Sequence, residues 1–307
     1  MDRAPGRPAL PGAPPAPGRD DPISEHVRAA LHVRLRAVLA HEAGARQGAD
    51  PEELHQLRVA VRRMRAVLRS ARPFLDKSWS EPLRAELGWL GRSLGPVRDL
   101  DVLLDRLRGD AAELDEAERP AAEQLLAGLD AAREQAREQL IAALDSDRCA
   151  ELIHSLAEAV RGPLPTSGTS EDTARELRAL VAAQYRKLRR AVDELPADPT
   201  DEQLHELRIL GKRLRYTAEL AGPVLGRPMK QLLTAVKAVQ DVLGEHQDAC
   251  VAEQRVRDLL AERGDAADVE VAFAAGRLVE RERARRAEHR ARWWQAWREL
   301  RNRAAAV

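Results

Sequence analysis

His55, Arg58, Arg62, Arg65 and Arg69 follow one another at intervals of three or four residues, and His205, Arg208, Lys212 and Arg215 repeat the spacing 150 positions later. At roughly 100° per residue the first set falls within an arc of about 80°, and Leu54, Leu57, Val61, Met64 and Leu68 take the neighbouring face. One helix would therefore bury leucines and display a cationic stripe. Arginine brings a permanent charge with forked donors, lysine a compact charge, and histidine a charge that switches near neutrality. With about 1.5 Å rise per residue, the span from His55 to Arg69 is roughly 20 Å, enough to follow several consecutive anionic groups. Like charges three or four residues apart repel by a few tenths of a kcal/mol per pair, a cost that a bound polyanion reverses. Two matched stripes suggest one shared polyanionic ligand, although Glu219 stands where the second copy would repeat Arg69.

Helices must carry these stripes, and both have readable starts. Asp50 can cap the first, Pro51 suits its opening turn and Glu53 can reach back, while Thr200 and Gln203 form a comparable box ahead of the second. The recurrence extends to the next segment, where Leu94-Gly95-Pro96-Val97-Arg98-Asp99 parallels Leu243-Gly244-Glu245-His246-Gln247-Asp248 at an offset of 149. Pro96 predicts a bend or break in the first copy. Helical periodicity covers 23–47, 51–75, 81–108, 117–145, 147–161, 171–195, 200–222, 228–262 and 266–303. The fold expected is all-α, two helical bundles at 21–161 and 171–303 with four long helices each, joined by a Pro/Gly/Ser/Thr-rich linker at 162–170. Residues 1–20, with six prolines among glycines and alanines, read as a disordered tail.

Aromatics make up 3% of the chain, which argues against strands, and the net charge of zero removes any global reason for indiscriminate nucleic-acid binding. An anion site must therefore come from local segregation of charge. Cys149 and Cys250 stand apart, which supports neither a zinc site nor a disulfide framework and fits a reducing cytoplasm. No apolar run approaches the roughly 18 residues of a membrane span, and no secretory leader is recognisable.

The duplicated L-H-x-L-R-x-x-x-[RK]-R-x-R element, together with L-G-x-x-R-D-L-D and the run Val239-Gln240-Asp241-Val242-Leu243-Gly244 with Asp248, resembles the CHAD family, the conserved-histidine α-helical domain, over about 21–303. The resemblance implies two four-helix bundles related by a pseudo-twofold around a basic central groove or pore that binds inorganic polyphosphate. It further implies association with polyphosphate granules or polyphosphate-metabolising enzymes. Carried over by residue, it points to His55, Arg58, Arg62, Arg63, Arg65 and Arg98 in the first half. In the second half it points to His205, Arg208, Lys212, Arg213 and Arg215. Gln247 replaces the second copy of Arg98. Arg69 extends the first stripe, Lys230 and Lys237, seven residues apart on the same helical face, are candidate further contacts, and Tyr216 is a candidate flank of the groove.

Polyphosphate offers anionic oxygens and no bases, so a linear array of cations suits it better than a stacking platform. No phosphate-binding loop, H-E-x-x-H, G-x-G-x-x-G or nucleophile-elbow motif occurs, which favours a binder without cofactor or catalysis. One rival is a metal-dependent phosphohydrolase or phosphotransferase with His55 or His205 as phosphoacceptor and Asp99, Asp101 or Asp248 holding the cation. Another is a nucleic-acid-binding helical protein. Asp99 and Asp101 are expected to orient Arg98 or brace the helix start, and His246, with Asp241 and Asp248, to serve in capping or an ion pair. Trp293, Trp294 and Trp297 are expected to close a bundle core. Reversing charge at Arg58 and Arg208 together is expected to abolish polyphosphate binding.

Overall fold

The computed structural model describes residues 12, 16–168, 172–264 and 268–304, so most of the Pro-rich tail lies outside the described residues. Each helical segment read from periodicity is a helix. They are α1 (Ile23–Gln47), α2 (Pro51–Ser70), α3 (Lys77–Ala112), α4 (Arg119–Leu144), α5 (Asp147–Arg161), α6 (Thr173–Asp193), α7 (Asp201–Leu225), α8 (Arg227–Glu262) and α9 (Val269–Ala304). Among the described residues the only extended pairing is an isolated bridge between Leu75 and Thr166, through which the linker is tied to the α2–α3 turn. Asp76 and Ser167 reinforce it with backbone bonds to Pro165 and Phe74.

Local chemistry sets the ends. Asp50 caps α2 by accepting from the Glu52 N–H, but Glu53 does not reach back; its carboxylate meets His41 at 3.0 Å. Thr200 and Gln203 make a complete capping box on α7. The first stripe helix stops at Ser70 rather than 75, ahead of Pro73, and α3 starts four residues early because Asp76 caps it. Pro96 does not break α3, which runs on to Ala112 through both Pro82 and Pro96. Neighbouring turns and tertiary packing hold the strand of backbone that lacks one N–H.

Two apolar clusters hold the helices together, and each draws on both halves of the chain. The larger joins α1, α2, α5, α6 and α7 to the first parts of α3 and α8 and to Trp293, Trp297 and Leu300 of α9. Trp294 departs from expectation: it is 46% exposed and meets only the edge of Trp293. The smaller cluster joins the far ends of α3 and α8 to α4 and the first part of α9. Burial repeats along the chain: Ile23, Val27, Leu31 and Val38 of α1 are buried, and so are Thr173, Leu177, Val181 and Leu188 of α6, each 150 positions on. Leu54, Leu57 and Met64 of α2 match Leu204, Leu207 and Leu214 of α7 in the same way. The apolar stripes of α2 and α7 face the same core, which brings the two helices side by side, with the Ser70 and Thr217 hydroxyls 3.1 Å apart.

Candidate functional site

With their leucines committed to the core, α2 and α7 turn adjacent faces toward α3 and α6, and a cavity of about 550 Å³ opens among the four helices. Among the described residues, its lining contains eight arginines and two lysines and no aspartate or glutamate. Helix α2 supplies Arg58, Arg62, Arg65 and Arg69; α7 supplies Lys212 and Arg213, with Tyr216 between them and Thr217. Sequence reasoning missed Arg72 just beyond α2, Arg84 and Arg92 on α3, and Lys187 on α6. Those four lie outside the repeated motif, and only the packing of α3 and α6 against the stripes brings them in. Gly88 makes room on α3, because a Cβ there would stand 3.2 Å from Arg65 Nε.

The remaining expected residues lie outside this lining. Arg63, one position from Arg62, is turned about 100° away and stands 3.8 Å from Glu219. Arg208 and Arg215 face α8, where Arg208 lies 3.8 Å from Asp248 and Arg215 donates to Gln240 at 3.1 Å; Arg215 also donates to Glu219 of its own helix at 2.9 Å. His205 bonds Gln247 through Nδ1 at 2.7 Å, and His55 stands near Arg98, Arg58 and Arg62 at the end of the stripe. Lys230 and Lys237 are exposed on α8. Asp99 and Asp101 do not orient Arg98: Asp99 accepts from Arg58 at 2.7 Å, and Asp101 pairs with Arg133 on α4.

Charge in the cavity is poorly neutralised. Among the described residues, Arg62, Arg65, Arg69 and Arg213 enter no ion pair, and Arg213 Nε is buried without a hydrogen-bond partner. The Arg69 guanidinium is held below its ordinary range by burial first and then by Arg213, Arg84 and Arg65. Lys212 is pushed down to about 8, chiefly by burial, then by Arg208 and Arg62, with Asp248 opposing. His55 is also held below the usual imidazole range, by burial first and Arg98 next, so its protonation belongs below about pH 6.5 unless an anion binds.

A pH dependence follows. The Lys212 pKa in the folded chain lies below its ordinary 10.5, so between about 8 and 10.5 the unfolded chain holds the extra proton and stability rises with pH. A bound anion favours the ammonium and lifts its pKa, so binding takes up a proton above pH 8 and weakens as pH rises. The dissociation constant for a short polyanion held there is expected to rise roughly tenfold from pH 7 to pH 9. Calorimetric titration at the two pH values checks this, and Lys212→Arg should flatten the slope; an equally steep slope in that variant would remove Lys212 from the account.

A second cluster of metal-ligating types lies elsewhere. Asp201, His246 and Cys250 bring one ligand atom each within 4.8 Å of one another, so His246 meets Asp201 rather than Asp241 or Asp248. Arg290 and Arg286 already reach the Asp201 carboxylate at 2.9 and 3.4 Å, and burial pushes the Cys250 thiol up to about 11. These groups join α7, α8 and α9 as an ion-pair network.

A CHAD domain profile matches residues 29–257. The uncharacterized proteins MT2285 and Rv2226, of Mycobacterium tuberculosis strains CDC 1551 and H37Rv, are each 28% identical over 249 residues, 78% of this chain. The chain spans about half the length of these curated relatives, since the match covers 46% of each. Among solved structures, the CHAD domain from the plant Ricinus communis superposes with a TM-score of 0.71 at 26% identity, covering 98% of this chain and 97% of that one. PptA from Streptomyces chartreusis gives 0.74 at 22% identity, covering 91% and 100%, a likeness of fold.

Proposed function

The chain belongs to the CHAD domain family, and we propose that it binds inorganic polyphosphate in the cavity among α2, α3, α6 and α7 without transforming it. One observation carries this reading: among the described residues, ten cationic side chains line one cavity with no carboxylate beside them, in a chain whose net charge is zero. Crowded cations in a partly dry site are costly when empty and strongly favourable toward a polyanion, because each contact is a charge-assisted hydrogen bond. Polyphosphate presents those acceptors in a row, and the α2 stripe presents donors in a row. Among the described residues Tyr216 is the one aromatic in the lining, which offers no platform for successive nucleic-acid bases. No histidine or carboxylate among the described residues lines the cavity to accept a phosphoryl group or hold a cation there. The reading includes a cytoplasmic location at polyphosphate granules or beside polyphosphate-metabolising enzymes; no helix among the described residues is long and apolar enough to cross a membrane.

The test is a titration with long-chain polyphosphate at graded salt, with RNA as competitor and inorganic phosphate monitored in Mg²⁺ or Mn²⁺. Expected are tight binding that falls steeply with salt as counterions cease to be released, a raised melting temperature, poor competition by RNA and no phosphate release. Steady phosphate release would make the protein an enzyme, and equal competition by RNA would make it a general polyanion binder.

A further inference from the structure

The charge that makes the cavity is matched, outside it, by an arrangement with one sign exchanged. Arg34 of α1, Arg63 of α2 and Arg215 of α7 gather around the carboxylate of Glu219, and Gln240 of α8 accepts from Arg215. Shifting each by 150 positions, or by 149 for α8 to α3, gives Gln184, Arg213, Arg65, Arg69 and Gly91. All five line the cavity. In the cavity Arg69 faces Arg213, two like charges; at the matched place Glu219 faces Arg63. The second place is still reachable from solvent, since the side chains of Arg63, Glu219 and Arg215 are 27%, 27% and 28% exposed.

We infer that Arg34, Arg63 and Arg215 form a second anion site that Glu219 occupies with its own carboxylate, so that the protein takes a polyanion at one of two matched faces. This rests on the cavity reading for its ligand class. A carboxylate 2.9 Å from Arg215 and 3.8 Å from Arg63 supplies the acceptors that a phosphate oxygen would otherwise bring. An incoming anion at that face must displace it or be repelled by it. Glu219 thereby sets the stoichiometry and the side of approach: the ligand lies along α2, α3 and α6 and does not continue past Glu219 toward α1 and α8.

Glu219→Gln removes the charge while keeping size and an acceptor for Arg215, so the fold is preserved, which circular dichroism verifies. Calorimetry with tripolyphosphate should count one equivalent in the wild type and two in Glu219→Gln, the second several-fold weaker because it meets three arginines where the cavity offers ten cationic side chains. Adding Arg63→Gln to Glu219→Gln should return the count to one. The inference is overturned if Glu219→Gln gains no binding event over the wild type, or if the gained event survives Arg63→Gln. A wild type that takes none while Glu219→Gln takes one would instead sink the cavity reading and leave this one standing.

Discussion

Arg69→Glu is expected to weaken polyphosphate binding by roughly a hundredfold while leaving the protein at least as resistant to unfolding as the wild type. The substitution copies into the cavity the arrangement that Glu219 makes with Arg63. It removes one charge-assisted donor, adds a repelling carboxylate and engages Arg213, and two such losses at about 1.5 kcal/mol each give that factor. Arg69 in the wild type is surrounded by Arg213, Arg84 and Arg65, so the new carboxylate relieves repulsion in the empty site. A loss of affinity accompanied by a loss of stability would mean that Arg69 is structural. Reversal at Arg58 and Arg208, which the motif weights equally, should do less: Arg58 already bonds Asp99, and Arg208 lies outside the cavity lining.

Glu282→Ala is expected to cost about 3–5 kcal/mol of stability without changing polyphosphate affinity. Glu282 on α9 is fully buried and accepts from Arg106 of α3 at 2.8 and 2.7 Å and from Arg285 at 2.9 Å. Arg285 in turn pairs with buried Asp110 of α3. This network clamps α3 to α9 beside the smaller apolar cluster, where the side chains are only Ala, Leu and Val. Removing Glu282 leaves half-buried Arg106 with Glu245 at 3.2 Å in place of its paired contact and takes one of the acceptors from Arg285. Denaturant unfolding reads the cost, and a midpoint equal to the wild type would show that the guanidinium groups escape to water without penalty. The affinity control is informative because neither Glu282 nor its partners line the cavity.

Much of this was legible in the sequence, for identifiable reasons. The helices announce themselves because their leucines recur with helical period, and the boundaries of α1 and α5 match residue for residue. Boundaries slipped where a cap outweighed periodicity, as Asp76 does for α3, and Pro96 does not break its helix because a helix packed on both sides tolerates a missing N–H. The α2 stripe was readable in register: Arg58, Arg62, Arg65 and Arg69 all reach the cavity. On α7 the same spacing sent Lys212 there but turned Arg208 and Arg215 to α8, and Arg213 arrived from the motif's other flank. Periodicity gives an angular position on one helix; which neighbour that angle faces depends on how helices distant in sequence pack. For the same reason Arg84, Arg92 and Lys187 carried no signal of their own, nor did the pairing of Asp99 with Arg58 and of Asp101 with Arg133. The exchange of Arg69 for Glu219 was visible from the start, but its meaning needed the Arg63 contact.

The central claim is that a polyanion lies in the cation-lined cavity between the two repeated helices. A crystal structure of the protein with a polyphosphate of defined length tests it most directly. The account predicts phosphate density along α2 within ion-pair distance of Arg65, Arg69 and Arg213, and none beside Glu219. Ordered phosphates on the exposed lysines of α8, with that cavity holding only water, would contradict it.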